Sequence, residues 1–285
     1  MDKKIVLVTG ASGMIGSCLV EKLLSAGMRV VGVDRCEARV TDAEYCHCAV
    51  DLGDKTALAE VLEQYKVDRV IHLAALAHRK NEADLSMERY IRVNVECSKN
   101  VFSVAEDKGI PVLFISTVDV FGFTKGYVTV DTEPHPVTNY GKSKLMAEGE
   151  CKKICTSYSI FRFSPVYTPE IKRDIQKRYY LKAPKVAYLI GKGNEYEVLN
   201  IDVATSRMVE WCNLKPDNKV HIIKDEYPLI PAECIRKEKA LGNAKYVIHC
   251  PRWIALCGYS VLRFFTGKNK YTYLLNKAVY PLKTK

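Results

Sequence analysis

Lys4-Ile5-Val6-Leu7-Val8-Thr9-Gly10-Ala11-Ser12-Gly13-Met14-Ile15-Gly16 is the stretch on which the fold reading turns. Lys4 to Thr9 is a continuous apolar run of strand type, and Met14 to Ala26 has helical character. Between them, Gly10-x-x-Gly13-x-x-Gly16 follows a strand and opens a helix. Glycines there permit a tight turn and let backbone N–H groups approach a pyrophosphate at a helix N-terminus. Gly10, Ser12, Gly13, Met14, Ile15 and Gly16 are therefore the candidate phosphate-contacting positions. A flavodoxin-like loop without a dinucleotide is the plainer alternative.

Outward from this loop the pattern repeats. Arg29 to Asp34, Tyr45 to Val50, Arg69 to Ala75, Pro111 to Ser116 and Ser159 to Phe163 read as strands. Residues 54–65, roughly 85–107 and 140–156 read as helices between them. Continuous apolar strands separated by helices predict an α/β fold, a doubly wound parallel sheet covered on both faces. After Pro165 the rhythm breaks, with a short apolar strand at Val198 to Ile201, a helix at 203–213 and a strand at 219–223. The expected organisation is a dinucleotide-binding Rossmann-type domain over 1–165 and a smaller, interleaved substrate lobe over 166–285.

Asp34 closes the second strand, 18 residues after Gly16, where a carboxylate can accept hydrogen bonds from an adenosine ribose. Asp51-Leu52 follows the third strand and can flank the adenine. An acid at the end of the second strand disfavours a 2′-phosphate and argues for NAD. Arg35, immediately after it, is the residue that could instead receive that phosphate from NADP.

The chain has 285 residues, 48% hydrophobic and 27% charged, as expected of a soluble globular protein. Its 43 Lys and Arg against 33 Asp and Glu leave a formal charge of +10, partly concentrated in Lys268, Lys270, Lys277, Lys283 and Lys285. Such an excess fits an anionic surface or a phosphorylated substrate. No helix-turn-helix, zinc-finger or RNP-type pattern accompanies it, so nucleic acid is not an expected partner. Eleven cysteines form no C-x-x-C pair, and Met1-Asp2-Lys3-Lys4 leads straight into a strand without a signal peptide. Reduced thiols and a cytoplasmic setting follow. Cys46-His47-Cys48 looks like a metal fragment, but neighbouring side chains of a strand point to opposite faces, and no metal is expected.

Tyr140 and Lys144, in YGKSK at 140–144, are one helical turn apart and share a face. An ammonium beside a phenol favours the phenolate. A tyrosine tuned in this way can exchange a proton with a substrate hydroxyl while a nicotinamide takes the hydride. Taken alone, the pair is also what an ordinary helix surface carries.

In order along the chain stand TGASGMIG at 9–16, Asp34, Asp51-Leu52, HLAA at 72–75, Asn94, STVDVFG at 116–122, YGKSK at 140–144 and RFSPVY at 162–167. Together they resemble the extended short-chain dehydrogenase/reductase superfamily, in its NAD-dependent epimerase/dehydratase branch, over most of residues 3–213. The resemblance implies Tyr140 as general base or acid. It implies Lys144 as the residue that binds the nicotinamide ribose and depresses the tyrosine pKa, and Thr117 as the hydroxyl that completes the triad. Ser116 is the fallback for that hydroxyl. Leu73, Ala74, Ala75, Asn94 and Ser116 join the expected cofactor contacts, with Asn94 structural or a relay. Relatives are often dimers through helices of the first domain, which makes a homodimer the implied assembly.

Departures from the family narrow the expected reaction. Sugar-nucleotide dehydratases of this branch place an Asp-Glu pair after the triad threonine; here those positions are Val118 and Asp119. Valine cannot protonate a leaving hydroxyl. What remains is oxidation of a sugar carbinol, rotation of the keto intermediate and reduction of its other face, an epimerisation most often at C4. A 4-keto sugar nucleotide reductase needs the same residues, and a catalytically silent NAD(P)-sensing or scaffold protein is the alternative of a different class. The family's diphosphate-gripping arginine is also missing, since Glu195-Tyr196-Glu197 occupies its place. Lys172-Arg173 and Lys177-Arg178 could supply phosphate contacts and Tyr179-Tyr180 could stack on a ring, although a solvated charged helix explains the segment equally.

Residues 252–265, RWIALCGYSVLRFF, are apolar apart from Arg252, Tyr259 and Arg263, which fall on one helical stripe. The run is too short to span a bilayer, which needs about 20 residues. With Lys268 and Lys270 it suits a helix lying at a membrane interface through 252–270; a helix packed on the substrate lobe is the other reading. The segment resembles the tail of epimerases of this family that act on polyprenyl-diphosphate sugars at the cytoplasmic membrane face. The implied substrate is thus a sugar diphosphate, nucleotide- or lipid-linked, in surface glycan synthesis.

Overall fold

The computed structural model describes residues 3–77, 86–168, 173–181 and 186–285. In chain order the first elements are β1 (Ile5–Thr9), α1 (Met14–Ser25), β2 (Arg29–Val33), β3 (Tyr45–Cys48), α2 (Lys55–Tyr65), β4 (Arg69–His72), α3 (Met87–Ile91), α4 (Cys97–Asp107) and β5 (Val112–Thr117). Next come β6 (Tyr127–Val128), α5 (Asn139–Ile154), β7 (Tyr158–Phe163), β8 (Val166–Tyr167), α6 (Arg173–Gln176), β9 (Val186–Ile190), β10 (Leu199–Asn200) and α7 (Ile201–Cys212). The last are β11 (Val220–Ile223), α8 (Pro231–Ala240), β12 (Tyr246–Cys250), α9 (Arg252–Thr266), α10 (Lys270–Val279) and β13 (Lys283–Thr284).

The chain divides into two compact units. One comprises Met1–Val118, Asn139–Phe163 and Ile201–His221, the other Asp119–Thr138, Ser164–Asn200 and Ile222–Lys285. In the first, a seven-stranded parallel sheet runs β11-β7-β5-β4-β1-β2-β3. Register follows the apolar runs, with Leu7 opposite Val31 on one side and Val70 on the other, and Phe114 opposite Ile160. Leu7, Val31, Val70, Phe102, Phe114 and Ile160 belong to one buried cluster. Strand order reverses between β1 and β4, so their carboxyl ends flank the crevice where such sheets take ligands.

Several boundaries differ from expectation; β4, for one, stops at His72 rather than Ala75. β3 stops at Cys48 because Val50 N–H turns back onto the Cys48 carbonyl at 3.0 Å. The helix expected over roughly 85–107 begins at Met87, capped by the Ser86 side chain, and position 85 lies outside the described residues. It then widens into a π turn at Arg92–Glu96 before α4. The strand expected at Val198–Ile201 covers only Leu199–Asn200, since Asn200 N–H bonds the Asp225 carboxylate at 2.7 Å and Ile201 opens α7.

The second unit has short parallel pairs, β8 with β10, β9 with β12 and β6 with β13. Ile175, Tyr179, Ala187, Val198, Ile235 and Ala244 form one buried cluster. Tyr179 is thus core, which removes it from the ring-stacking role considered for Tyr179-Tyr180. α9 packs on α10, where Tyr259 is buried and accepts from Arg263 Nη1 at 2.8 Å and Asn276 Nδ2 at 3.2 Å. Arg263 also lies over the Phe123 ring at 5.4 Å. The polar stripe of this helix therefore turns inward at Tyr259 and Arg263. The opposite face of α9 presents Trp253 (67% exposed), Phe264 (84%) and Phe265 (77%), with Ile254 and Val261 also exposed.

Candidate active site

The glycine loop is shaped by its lack of side chains. Gly10 has φ +72°, the left-handed region, and a Cβ there would meet Ala74 N at 2.8 Å. A Cβ on Gly16 would run into the Gly10 carbonyl. Gly13 is the N-cap of α1, no side chain caps that end, and the first turn carries no acid. The amides of the first turn that follows suit an anionic group. This cradle fits a dinucleotide pyrophosphate, with Ser12, Met14 and Ile15 on its rim and first turn.

Asp34 is oriented by the backbone around it. Its carboxylate accepts from Ser12 N–H at 3.1 Å and Cys36 N–H at 3.0 Å. Arg35 is exposed and reaches Asp51 at 3.5 Å. Its guanidinium thus already faces a carboxylate, which favours an unphosphorylated ribose. Asp51 accepts from Gly53 N–H at 2.8 Å, and Asn100 Nδ2 holds the Leu52 carbonyl at 2.8 Å. A cleft of about 690 Å³ opens there, lined by Asp51, Arg92, Cys97 and Asn100 among others. Asn100 lies 48 residues from Leu52, so no local pattern signals it.

Beyond β4, Leu73 N–H bonds the Thr9 carbonyl at 3.2 Å and Ala74 N–H the Thr9 hydroxyl at 3.2 Å, which keeps Leu73, Ala74 and Ala75 beside Gly10. Thr9 Oγ1 lies 2.6 Å from His72 Nδ1, and His72 Nε2 lies 2.8 Å from Ser98 Oγ. Ser98 donates to the Asn94 carbonyl at 2.7 Å. It therefore accepts from Nε2–H, and Nδ1 accepts from Thr9. Burial, aided by the Lys144 charge, pulls the His72 pKa down to about 3, so the ring stays neutral. Sequence reading passed over this histidine as part of HLAA.

Asn94 sits in the π turn, fully buried. Its Oδ1 accepts from Leu76 N–H at 2.6 Å, and its Nδ2 donates to the Leu76 carbonyl at 3.1 Å and Ser143 Oγ at 2.9 Å. Both amide protons go to protein atoms, so Asn94 clamps the strand-four loop to the Tyr140 helix. Ser143 in turn donates to the Tyr140 carbonyl at 2.9 Å. The Tyr140 ring packs against the cluster of Leu76 and Tyr90 with Val93.

Lys144 is only 2% exposed, its ammonium 4.1 Å from the centre of the Phe114 ring. Burial lowers its pKa to about 7, and the Glu148 carboxylate opposes that shift. Thr117 ends β5 opposite Phe163. Ser116, its neighbour, is buried and donates to Glu148 Oε1 at 2.6 Å. Thr117 is the half-buried hydroxyl beside it at the strand end.

In the second unit, Asp119 accepts from Lys277 Nζ at 2.5 Å and Tyr273 OH at 3.4 Å. Glu197 accepts from Lys224 Nζ at 2.7 Å, Thr284 N–H at 2.7 Å and Thr284 Oγ1 at 2.9 Å, and Glu195 pairs with Lys283 at 3.7 Å. The two acids found where an arginine was expected thus anchor the last residues of the chain. Arg178 lies over the Tyr196 ring at 5.1 Å. Lys172 lies outside the described residues.

Residues 6–213 match the NAD dependent epimerase/dehydratase family. Over 161 residues the chain is 34% identical to the probable low-salt glycan biosynthesis reductase Agl14 of Haloferax volcanii, covering 56% of this chain and 53% of that protein. It is 26% identical over 280 residues, 92% of this chain and 81% of the other, to the N-acetyl-alpha-D-glucosaminyl-diphospho-ditrans,octacis-undecaprenol 4-epimerase of Escherichia coli O157:H7. MoeE5, solved in complex with UDP-glucose and NAD, superimposes with a TM-score of 0.69 at 25% identity over 86% of this chain and 85% of its own. The chain spans about half the length of the first curated relatives it matches. Motif order, sheet topology and this match lead to one conclusion: the chain belongs to the NAD-dependent epimerase/dehydratase family.

Proposed function

We propose that this protein is an NAD-dependent epimerase of a diphosphate-linked hexose, acting at C4. The observation that carries the reading is the pairing of Tyr140 with a desolvated Lys144 on α5, beside the β5 end that bears Thr117. Bound NAD supplies the reversible hydride acceptor. Tyr140 Oη takes the proton from the sugar hydroxyl and returns it after the keto sugar has turned over. Lys144 holds positive charge near that oxygen, and Thr117 orients the reacting hydroxyl. Val118, apolar and buried, stands where a dehydratase has an acid, and Asp119 is bound to Lys277. Neither arrangement suits elimination of a sugar hydroxyl.

A lipid-linked diphosphate is the favoured carrier. The undecaprenol-linked 4-epimerase is a relative that aligns along nearly the whole chain, and the outward face of α9 is apolar. That face, with Lys268, is read as a peripheral contact with an anionic membrane surface. No helix among the described residues is long and apolar enough to cross a membrane. Arg178, over Tyr196, is the cation proposed to meet the diphosphate.

The similarity to a probable reductase keeps reduction as the competing outcome. Purified protein loaded with NAD should interconvert two C4-epimeric sugars with no net cofactor turnover, read by mass spectrometry and chromatography of the product. Stoichiometric loss of NAD(P)H absorbance on addition of a keto sugar would replace epimerisation with reduction.

A further inference from the structure

β2 and β3 lie side by side at one edge of the sheet and end together. Val33 stands opposite Cys48, and Asp34 N–H donates to the Cys48 carbonyl at 3.3 Å. Two acids and an arginine follow these strand ends. Asp34 is fixed by the amides of Ser12 and Cys36, one to each carboxylate oxygen. Asp51 is fixed in a similar way: its Oδ1 accepts from Gly53 N–H at 2.8 Å, which leaves Oδ2 to meet Arg35 Nη1 at 3.5 Å.

As a source of stability the pair of Arg35 and Asp51 is poor. The side chains are 66% and 57% exposed, and an ion pair so wet adds little to the fold. Its place at the ribose end of the cofactor crevice gives it another use. An acid at the end of the second strand takes the ribose 2′-hydroxyl, whereas an arginine nearby accommodates a 2′-phosphate. This chain carries both in succession, Asp34 and then Arg35. Their charges cancel, so Asp34 by itself is a weak bar to a phosphate that brings roughly two negative charges near pH 7. Asp51 tips the balance, because it makes the three residues net negative and gives the guanidinium a carboxylate to face. The Cys97 thiol, in the wall of the adjoining cleft, registers the whole cluster: burial, Asp51 and Glu96 raise its pKa, and Arg35 and Arg92 lower it. Arg92 and Glu96 offset each other, which leaves Asp51 to decide the sign.

We propose that Asp51 is a specificity-determining residue: by holding Arg35 and adding its own charge beside Asp34, it turns a 2′-phosphate away and fixes the preference for NAD. The inference rests on the dinucleotide reading of this crevice and is independent of the chemistry at the sugar. Without the Asp51 charge, Arg35 is released to pair with the phosphate, and NADP becomes an acceptable ligand.

The test is equilibrium dialysis of the full-length protein against equal concentrations of NAD and NADP, with the retained nucleotides separated by chromatography. Any contact between Asp51 and the adenine is common to both nucleotides and cancels in their ratio. The wild type should retain NAD in excess. Asp51→Asn, whose amide oxygen can still accept from Gly53 N–H, should raise the bound NADP-to-NAD ratio about tenfold, the worth of one charge-assisted hydrogen bond. Adding Arg35→Ala to that variant should return the ratio to the wild-type value, since the released guanidinium is then gone. An unchanged ratio in Asp51→Asn, or an increase that survives Arg35→Ala, overturns the proposal, as does a wild type that holds both nucleotides equally. Absence of sugar turnover would instead sink the epimerase reading, while the nucleotide ratio still decides on Asp51.

Discussion

Lys144 carries an unusual electrostatic load for a lysine. Its ammonium lies over the Phe114 ring, and burial brings its pKa to about 7. In the unfolded chain the same group has a pKa of about 10.4. Between these values the unfolded state binds more protons, so the stability of the cofactor-free protein must rise with pH. The contribution is full above the unfolded pKa and is lost as pH falls through the folded one. Relative to Lys144→Met, the wild type should gain about 1.4 kcal/mol per pH unit between pH 7 and 10. Urea unfolding at a series of pH values measures this; parallel profiles for the two proteins would refute it.

Among the elements, the π turn at Arg92–Glu96 has the clearest consequence. An i→i+5 bond inserts one residue's worth of rotation into a helix, a device common at functional sites. Here it lets Asn94 face Leu76 and Ser143 together, so one amide ties the loop after β4 to the helix carrying Tyr140. Asn94→Ala leaves the Leu76 N–H without that acceptor in a buried place. The expected cost is about 1–3 kcal/mol of stability, read from chemical denaturation. A loss below roughly 0.5 kcal/mol, the range of a neutral surface change, would show that the clamp is dispensable.

For the molecule as a whole, the apolar face of α9 is the feature that burial within the chain does not account for. Contiguous exposed aromatics mark a surface meant for a partner. Trp253, Phe264 and Phe265 are suited to the interface of a bilayer, where rings bury their apolar bodies at headgroup depth. Replacing all three by serine should reduce co-sedimentation with anionic lipid vesicles at least tenfold, since each buried large side chain contributes about 1.5–3 kcal/mol. Equal binding by the variant would remove the membrane from the account.

Much of this protein could be read before any coordinates. Strands, helices and the glycine turn follow from local rules: apolar runs, capping residues and the backbone freedom of Gly10 act over a few neighbours. The places of Thr117 at the end of β5 and of Tyr140 and Lys144 on α5 were readable for the same reason, as local patterns on predictable elements. Other features were out of reach. Glu148 and Arg162 meet across 14 residues, His72 and Ser98 across 26, and Glu197 reaches Thr284 across 87. Such partners are chosen by three-dimensional packing, and burial sets the protonation of His72 and Lys144. The same holds for α9: its periodicity announced an amphipathic helix, but which stripe turned inward depended on the hydrogen bonds that Tyr259 found on α10.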